Sequence, residues 1–533
     1  MSRIVVAWLV VLSAATVVAA ESKPNIIYVL CDDLGYGDVR CLNPAGKIAT
    51  PNMDRLAAGG MTFTDAHTGS AVCTPTRYGV ITGRYAWRTP LQKFVLGGLS
   101  PRLIEQNRMT VASMLRDAGY HTACIGKWHL GMDWVKLPGK DVSELTIEKP
   151  EQVWNVDYTK PIANGPTTVG FDYYYGIAAS LDMVPYTYIE NDHVTKVPTV
   201  DKRFAMMPGQ EGKFTRTGPS TPEFEATDVL PQLTRKTVEY IDAHAADAKQ
   251  GKPFFVYLPL ASPHTPIAPS AEWLGKSGLN PYADFVMQTD ACLGEVLEAL
   301  ERNGLTNDTL VVLTSDNGCS PSADYPALLA KGHNPSYVFR GTKADIFDGG
   351  HRVPFLVRWP AKVKAGTQSN QLLCLTDFMA TAAEIVGAAL PDNAAEDSIS
   401  FLATLTGAQP KQPREAAVHH SINGSFAIRQ GKWKLELCPG SGGWSAPRPG
   451  ADDTSALPEV QLYDLESDIG EQQNLQDKHP DIVSQLTHLL ETYVTNGRST
   501  PGKPQANAVE VDMWNAGREA HQPLPAKKKR KAA

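Results

Sequence analysis

The chain reads as an α/β protein, a large mixed but mostly parallel sheet flanked by helices, followed by a smaller C-terminal α+β domain. Three observations predict this. Short, apolar, β-rich runs alternate with helical segments up to about residue 387, the pattern of a sheet covered on both faces. Polar clusters follow several of these runs directly, where parallel sheets bind ligands beyond their carboxyl ends. After Gly387 the alternation weakens, and residues 391–412 contain several breakers, which marks a boundary.

Residues 24–31 are apolar and β-rich, a buried strand running into Asp32-Asp33. Thr50-Pro51 reads as the cap and first residue of a helix to Ala58, stopped by Gly59-Gly60. In residues 110–120, Val111, Met114, Leu115 and Ala118 share one helical face, with Gly119 at the C-terminal cap. Residues 121–126 form a strand leading to Lys127 and His129, and residues 252–260 one leading to Ser262-Pro263-His264. Residues 285–302 read as a long amphipathic helix ended by Asn303-Gly304, and residues 309–314 as a strand before Asp316-Asn317-Gly318. Further on, residues 426–437 suit a hairpin turning at Gln430-Gly431, and residues 460–465 a strand. Ile482, Leu486, Leu489, Leu490 and Tyr493 mark one face of a helix.

At 533 residues the chain exceeds one small core, and the division expected is 21–395 for the larger domain and 413–515 for the smaller. Hydrophobic residues at 42% and charged residues at 20% exclude extensive disorder. A net charge of −7 lacks the basic footprint of nucleic-acid binding, though cations gathered in a cleft can still receive an anion. Residues 1–20 carry one early cation, an uncharged apolar run and small residues at Val18 and Ala20, the pattern of a signal peptide; an exported protein with no stable membrane partner is expected. Residues 516–533 read as a flexible basic tail. Eight irregularly spaced cysteines outline no disulfide scaffold, and no Cys/His cluster in the sequence suggests zinc.

The chemistry-bearing residues fall at the predicted strand ends. Asp32, Asp33, Asp316 and Asn317 are hard oxygen donors suited to Ca²⁺ or Mg²⁺ and poor for zinc. Lys127 and His129 stand two residues apart, so an extended backbone would direct both to one face. His264 lies between prolines, and Lys343 follows Arg340-Gly341-Thr342. Residues 73–83 match C-x-P-x-R-x-x-x-x-T-G, a pattern expected by chance in a chain this long at odds on the order of 10⁻⁴.

With these motifs the chain resembles the formylglycine-dependent sulfatases, similar to arylsulfatase A and N-acetylgalactosamine-6-sulfatase, over roughly residues 24–387. The resemblance implies the alkaline-phosphatase-like fold, conversion of Cys73 to formylglycine by a formylglycine-generating enzyme, and a sulfated small molecule or glycan as substrate. It further implies Ca²⁺ on Asp32, Asp33, Asp316, Asn317 and modified Cys73. Arg77 would hold the formylglycine, and Lys127 and Lys343 the sulfate. His129 would act as the base for release, and His264 would contact sulfate or protonate the leaving oxygen. Thr76 stands where many relatives have serine. Two other readings stay open on the residues alone: a phosphodiesterase or phosphonate monoester hydrolase of the same superfamily, and an unmodified sulfated-glycan-binding protein. Specificity is expected in residues 173–192, residues 324–337 and parts of the smaller domain.

Overall fold

The computed structural model describes residues 23–515. The expected signal peptide at 1–20 and basic tail at 516–533 lie outside the described residues. Among the described residues no helix is long and apolar enough to cross a membrane.

Strand β1 (Asn25–Cys31) lies at the centre of a ten-stranded sheet. It is accompanied by β2 (His121–Lys127), β3 (Tyr173–Ile177), β4 (Phe254–Pro259), β5 (Thr309–Ser315) and β6 (Phe355–Arg358). The order β5-β1-β4-β2-β3 is parallel throughout. Antiparallel β6 continues one edge through Met61–Phe63 to Thr367–Ser369, and Ile189–Glu190 with His193–Val194 forms the other.

Alternate residues of β1 enter different cores, as a pleated strand requires. Ile27, Val29 and Cys31 face one, and Ile26, Tyr28 and Leu30 the other. Seven helices matter here: α1 (Pro51–Ala58), α2 (Cys73–Thr82), α3 (Val111–Asp117), α4 (Val229–Lys249), α5 (Pro281–Arg302), α6 (Phe378–Val386) and α7 (Pro480–Thr495). Helices α4 and α5 cover the first face with Leu233, Ile241, Val286 and Leu297. Helices α3 and α6 cover the second with Val111, Leu115, Phe378 and Ala382. Each such valine, leucine, isoleucine or phenylalanine side chain, fully buried, contributes roughly 1.5–3 kcal/mol.

Local signals worked unevenly. Thr110 caps α3, its hydroxyl accepting from the Ser113 N–H. Thr50 precedes α1 but does not cap it, because its hydroxyl accepts from the Arg40 N–H and bonds to Asp54. Helix α5 starts four residues before the expected 285, at Pro281, because the Asn280 side chain accepts from the Ala283 N–H and proline suits the first turn.

The C-terminal region builds a four-stranded antiparallel sheet from Ala417–His420, Phe426–Gln430, Trp433–Glu436 and Gln461–Asp464. Helix α7 lays Leu486, Leu490 and Tyr493 into a core with Val418, Ile428, Leu435 and Leu462. Arg88, downstream of α2, ties this region to the larger one. Its guanidinium meets Asp397 at 2.8 and 2.9 Å and donates to the Tyr493 carbonyl at 3.0 Å. Burial pushes the Asp397 carboxyl up, but Arg88 and further hydrogen bonds outweigh it and hold it below its ordinary value.

A depressed folded value means that Asp397 stabilises the fold above its unfolded value of about 3.9 and loses that contribution as pH falls through the folded one. Arg88→Met should therefore cost about 3–5 kcal/mol at neutral pH by leaving a buried charge unpaired. In urea unfolding, the gap between variant and parent should narrow below about pH 4; a gap that stays constant there would contradict this account.

Candidate active site

The site begins with strand register. In the parallel pair β1/β5, Cys31 stands opposite Ser315, so Asp32-Asp33 and Asp316-Asn317 emerge side by side. The Asp316 N–H donates to the Cys31 carbonyl at 3.0 Å, and the Asp33 N–H to Asp316 Oδ1 at 3.3 Å. Asp33 leaves the strand with φ at +66°, turning the chain out of the sheet. All four side chains are buried.

Helix α2 brings Cys73 to the same place. Val72 is extended, Cys73 opens the helix, and Gly83 ends it in the left-handed region. One turn on, Arg77 donates to Asp316 Oδ2 through Nε (3.0 Å) and Nη2 (2.7 Å), and to the Lys127 carbonyl at 3.1 Å. Burial, partly offset by Lys127 and Lys343, pushes the Cys73 thiol up, so the unmodified side chain is a neutral thiol rather than a thiolate.

Lys127, at the end of β2, stands 2.6 Å from Asp32 Oδ2 and 3.1 Å from Ser180 Oγ. Lys343 stands 2.6 Å from Asp33 Oδ1. His264 places Nε2 at 3.7 Å from Asp33 Oδ2 and Nδ1 at 3.2 Å from Ser180 Oγ. His129 donates from Nε2 to the Leu96 carbonyl at 2.8 Å. A carbonyl only accepts, so the proton sits on Nε2 and Nδ1 carries the lone pair. That Nδ1 is buried without a hydrogen-bond partner. Burial and the Lys127 charge hold His129 well below the usual histidine range, so the ring is neutral.

The two central carboxylates differ. Burial raises Asp32, but Lys127, His264 and Arg77 outweigh it, and the group lies well below the usual carboxylate value. Burial and the neighbouring Asp32 charge push Asp316 up to about 6 against Arg77 and Lys127. Lys343 is raised, since the nearby Asp33 overcomes its burial and keeps the ammonium charged. Three acidic groups and three basic ones thus share one buried centre.

Whether these residues suit a cation can be read from their oxygens. Asp32 Oδ1, Asp33 Oδ2 and Asn317 Oδ1 are all buried without hydrogen-bond partners, which is costly for polar atoms unless something positive satisfies them. Ligand atoms of Asp32, Asp33 and His264 lie within 4.8 Å of one another. An oxygen-rich set of this kind fits a hard cation.

All ten residues singled out in the sequence occupy this region, but two reasons given for them need correction. Lys127 and His129 do not share a face through an extended backbone; His129 has φ at +55°, and this left-handed turn, not strand alternation, sets its direction. Residues 173–192 are not wholly a loop, since their first five form β3 and Ile189–Glu190 pairs back along it, leaving the stretch between to reach the site. That stretch supplies Ser180, which the sequence reading missed. It bridges Lys127 and His264, and only its position three residues past a strand end could have signalled it.

Comparison with known proteins agrees with this geometry. The Sulfatase family model matches residues 24–388, and a second model, the C-terminal region of N-sulphoglucosamine sulphohydrolase, matches residues 342–436. The chain is 33% identical to an N-acetylgalactosamine-6-O-sulfatase of Bacteroides thetaiotaomicron, covering 89% of this chain and 94% of that one. It is 30% identical to arylsulfatase A of Bos taurus, covering 89% and 88%. A solved structure described in connection with glycosaminoglycan metabolism by Bacteroides thetaiotaomicron superposes with a TM-score of 0.74 at 31% identity, over 89% of this chain and 99% of that one. The chain belongs to the sulfatase family and is a sulfuric ester hydrolase.

Proposed function

We propose that this enzyme removes sulfate from sulfated carbohydrate, using formylglycine made from Cys73 and a bound Ca²⁺. The observation that carries the cation is the trio of unpartnered buried oxygens on Asp32, Asp33 and Asn317. Asp316 and position 73 would complete the set. Ca²⁺ would withdraw charge from the sulfuryl oxygens, and the hydrate of formylglycine would supply both a nucleophilic hydroxyl and a second hydroxyl through which sulfate can leave. The names of the relatives, an N-acetylgalactosamine-6-O-sulfatase and a structure tied to glycosaminoglycan metabolism, support a sugar as the carrier of the sulfate.

The chain's own side chains then take distinct parts. Lys127 and Lys343, set against Asp32 and Asp33, would hold the sulfuryl oxygens, an electrostatic contribution already in place before reaction. Arg77, fixed on Asp316 and the Lys127 carbonyl, orients the floor of the site. His264, steadied by Ser180, would place a proton from Nε2 on the departing sugar oxygen. Neutral His129 has its open lone pair on Nδ1, the atom that would take the proton for product release. A formylglycine-generating enzyme would act on Cys73, and residues 1–20 would direct export.

Cys73→Ser should lower steady-state turnover by at least about 10³-fold, leaving at most a single slow turnover; undiminished turnover would end the formylglycine reading. Lys343→Met should reduce kcat by about 10²–10³-fold. Chelation should abolish activity, with Ca²⁺ restoring it better than Mg²⁺; full activity in the chelated protein would remove the metal from the scheme. Assays of defined sulfated mono- and oligosaccharides beside aryl sulfates and phosphodiesters test the substrate. Sulfate release from a sugar is expected, and a preference for phosphodiesters would overturn the proposal.

A further inference from the structure

Beside the two active-site histidines lies a polar patch that the proposed reaction scheme does not use. On the side of His264, Ser180 opens a turn that the Met183 N–H closes on the Ser180 carbonyl at 2.9 Å, and Asp182 stands within it. On the side of His129, the Leu96 carbonyl that takes the Nε2 proton leads into Gly97-Gly98-Leu99. Glu148 packs against this glycine pair, its Oε2 accepting from the Leu99 N–H at 3.4 Å. A Cβ at Gly97 would collide with Glu148 Oε2, and one at Gly98 with the Val184 carbonyl. The two glycines therefore let Glu148 and the chain just after Asp182 approach one stretch of backbone.

Each carboxylate has one oxygen engaged and one open. Arg216 Nη1 donates to Asp182 Oδ2 at 2.6 Å and to the Asp182 carbonyl at 3.3 Å. The Asp182 side chain is 14% exposed, yet its Oδ1 is buried and has no hydrogen-bond partner. Glu148 is 5% exposed, and its Oε1 is likewise buried without a partner. Open acceptors in so confined a place are costly unless donors reach them. The three groups lie in one another's field. Burial raises the Glu148 carboxyl, the Arg216 charge opposes that shift and the Asp182 charge adds to it.

We propose that Asp182 and Glu148 form the subsite that reads sugar hydroxyls beside the sulfate ester, Asp182 through Oδ1 and Glu148 through Oε1. The inference rests on the sulfated-carbohydrate reading and adds to it the residues that tell a sugar from an aryl ring. A hydroxyl donates well to a carboxylate oxygen, and such charge-assisted bonds are roughly twice as strong as neutral ones. An aryl sulfate has no hydroxyl to offer and leaves both oxygens bare, which is how a site rejects an analogue lacking the group it binds. Position favours the same assignment. Ser180 bridges Lys127 and His264, the groups assigned to the sulfuryl and leaving oxygens, and Asp182 follows two residues later. A sugar whose leaving oxygen meets His264 carries further hydroxyls beside it. A cation is a poor rival for this place, because the Arg216 guanidinium already sits on Asp182.

The test turns each open acceptor into a donor without changing its shape. Arg216 only donates, so Asp182→Asn must present its carbonyl oxygen to Arg216 and its amide NH₂ where Oδ1 stood. The Leu99 N–H orients Glu148→Gln in the same way. The full chain, produced with a formylglycine-generating enzyme, is assayed on nitrophenyl sulfate and on 6-sulfated N-acetylgalactosamine, the sugar in a relative's name, N-acetylglucosamine and galactose. The sugar cleaved fastest is then compared with its 3-deoxy and 4-deoxy analogues.

In each variant the ratio of kcat/KM for that sugar to kcat/KM for nitrophenyl sulfate should fall about 10-fold; because it is a ratio, any loss of folded protein cancels. At least one deoxy analogue should cost the wild type a similar factor, and should cost the matching variant much less. Sugar cleavage by the wild type with both ratios unchanged in the variants would overturn the subsite and leave the carbohydrate reading standing. A wild type active on nitrophenyl sulfate and on none of the sugars would overturn both.

Discussion

The parallel register between β1 and β5 is the constraint on which the candidate active site rests. Opposing Cys31 to Ser315 brings two separated acidic pairs together at one end of the sheet. A slip of one residue would turn every side chain of the strand to the other face, moving Ile27 and Val29 out of one core and Ile26 and Tyr28 out of the other. Packing on both faces therefore locks the register, and the register locks the site. The apolar cores thereby fix the acidic positions at the strand ends.

Concentrated negative charge then dictates what surrounds it. Carboxylates without water are tolerated only beside cations, and Arg77, Lys127 and Lys343 arrive from a helix, a strand end and a loop to meet them. The same groups have charges suited to receiving an anion, so stability and function draw on one set of residues. Their arrangement is uneven: Arg77 is committed to Asp316 and a carbonyl, while each lysine meets a single carboxylate. On the proposed reading, the lysines would exchange that partner for sulfate while the arginine stays in place.

The sequence made the core of the fold legible because its strands are short apolar runs that end abruptly in charge. Asp32-Asp33 and Asp316-Asn317 were readable for that reason, and Cys73 and Arg77 because they share a local pattern. Direction was less legible. Nothing local to Lys127-Trp128-His129 announces a left-handed residue at position 129, since that conformation is imposed where His129 N bonds the Ala178 carbonyl and Nε2 the Leu96 carbonyl. Ser180 was hidden because an isolated serine carries no periodicity. The grouping of Glu148, Asp182 and Arg216 was hidden more deeply, as its members come from three separate segments and no spacing rule connects them. Proximity created by folding leaves no mark on a linear pattern.

Cys73 is 3% exposed, and every residue of its helix is buried. On the proposed reading, an enzyme that converts this side chain would have to meet it before the helix is packed, so the opportunity would close when the chain folds. The proportion of competent molecules would then be set by a race between two rates during biosynthesis, not by an equilibrium reached afterwards. A preparation could hold two populations of the same fold, differing at one side chain and unable to interconvert without unfolding. Specific activity would in that case report the history of the sample as much as its chemistry.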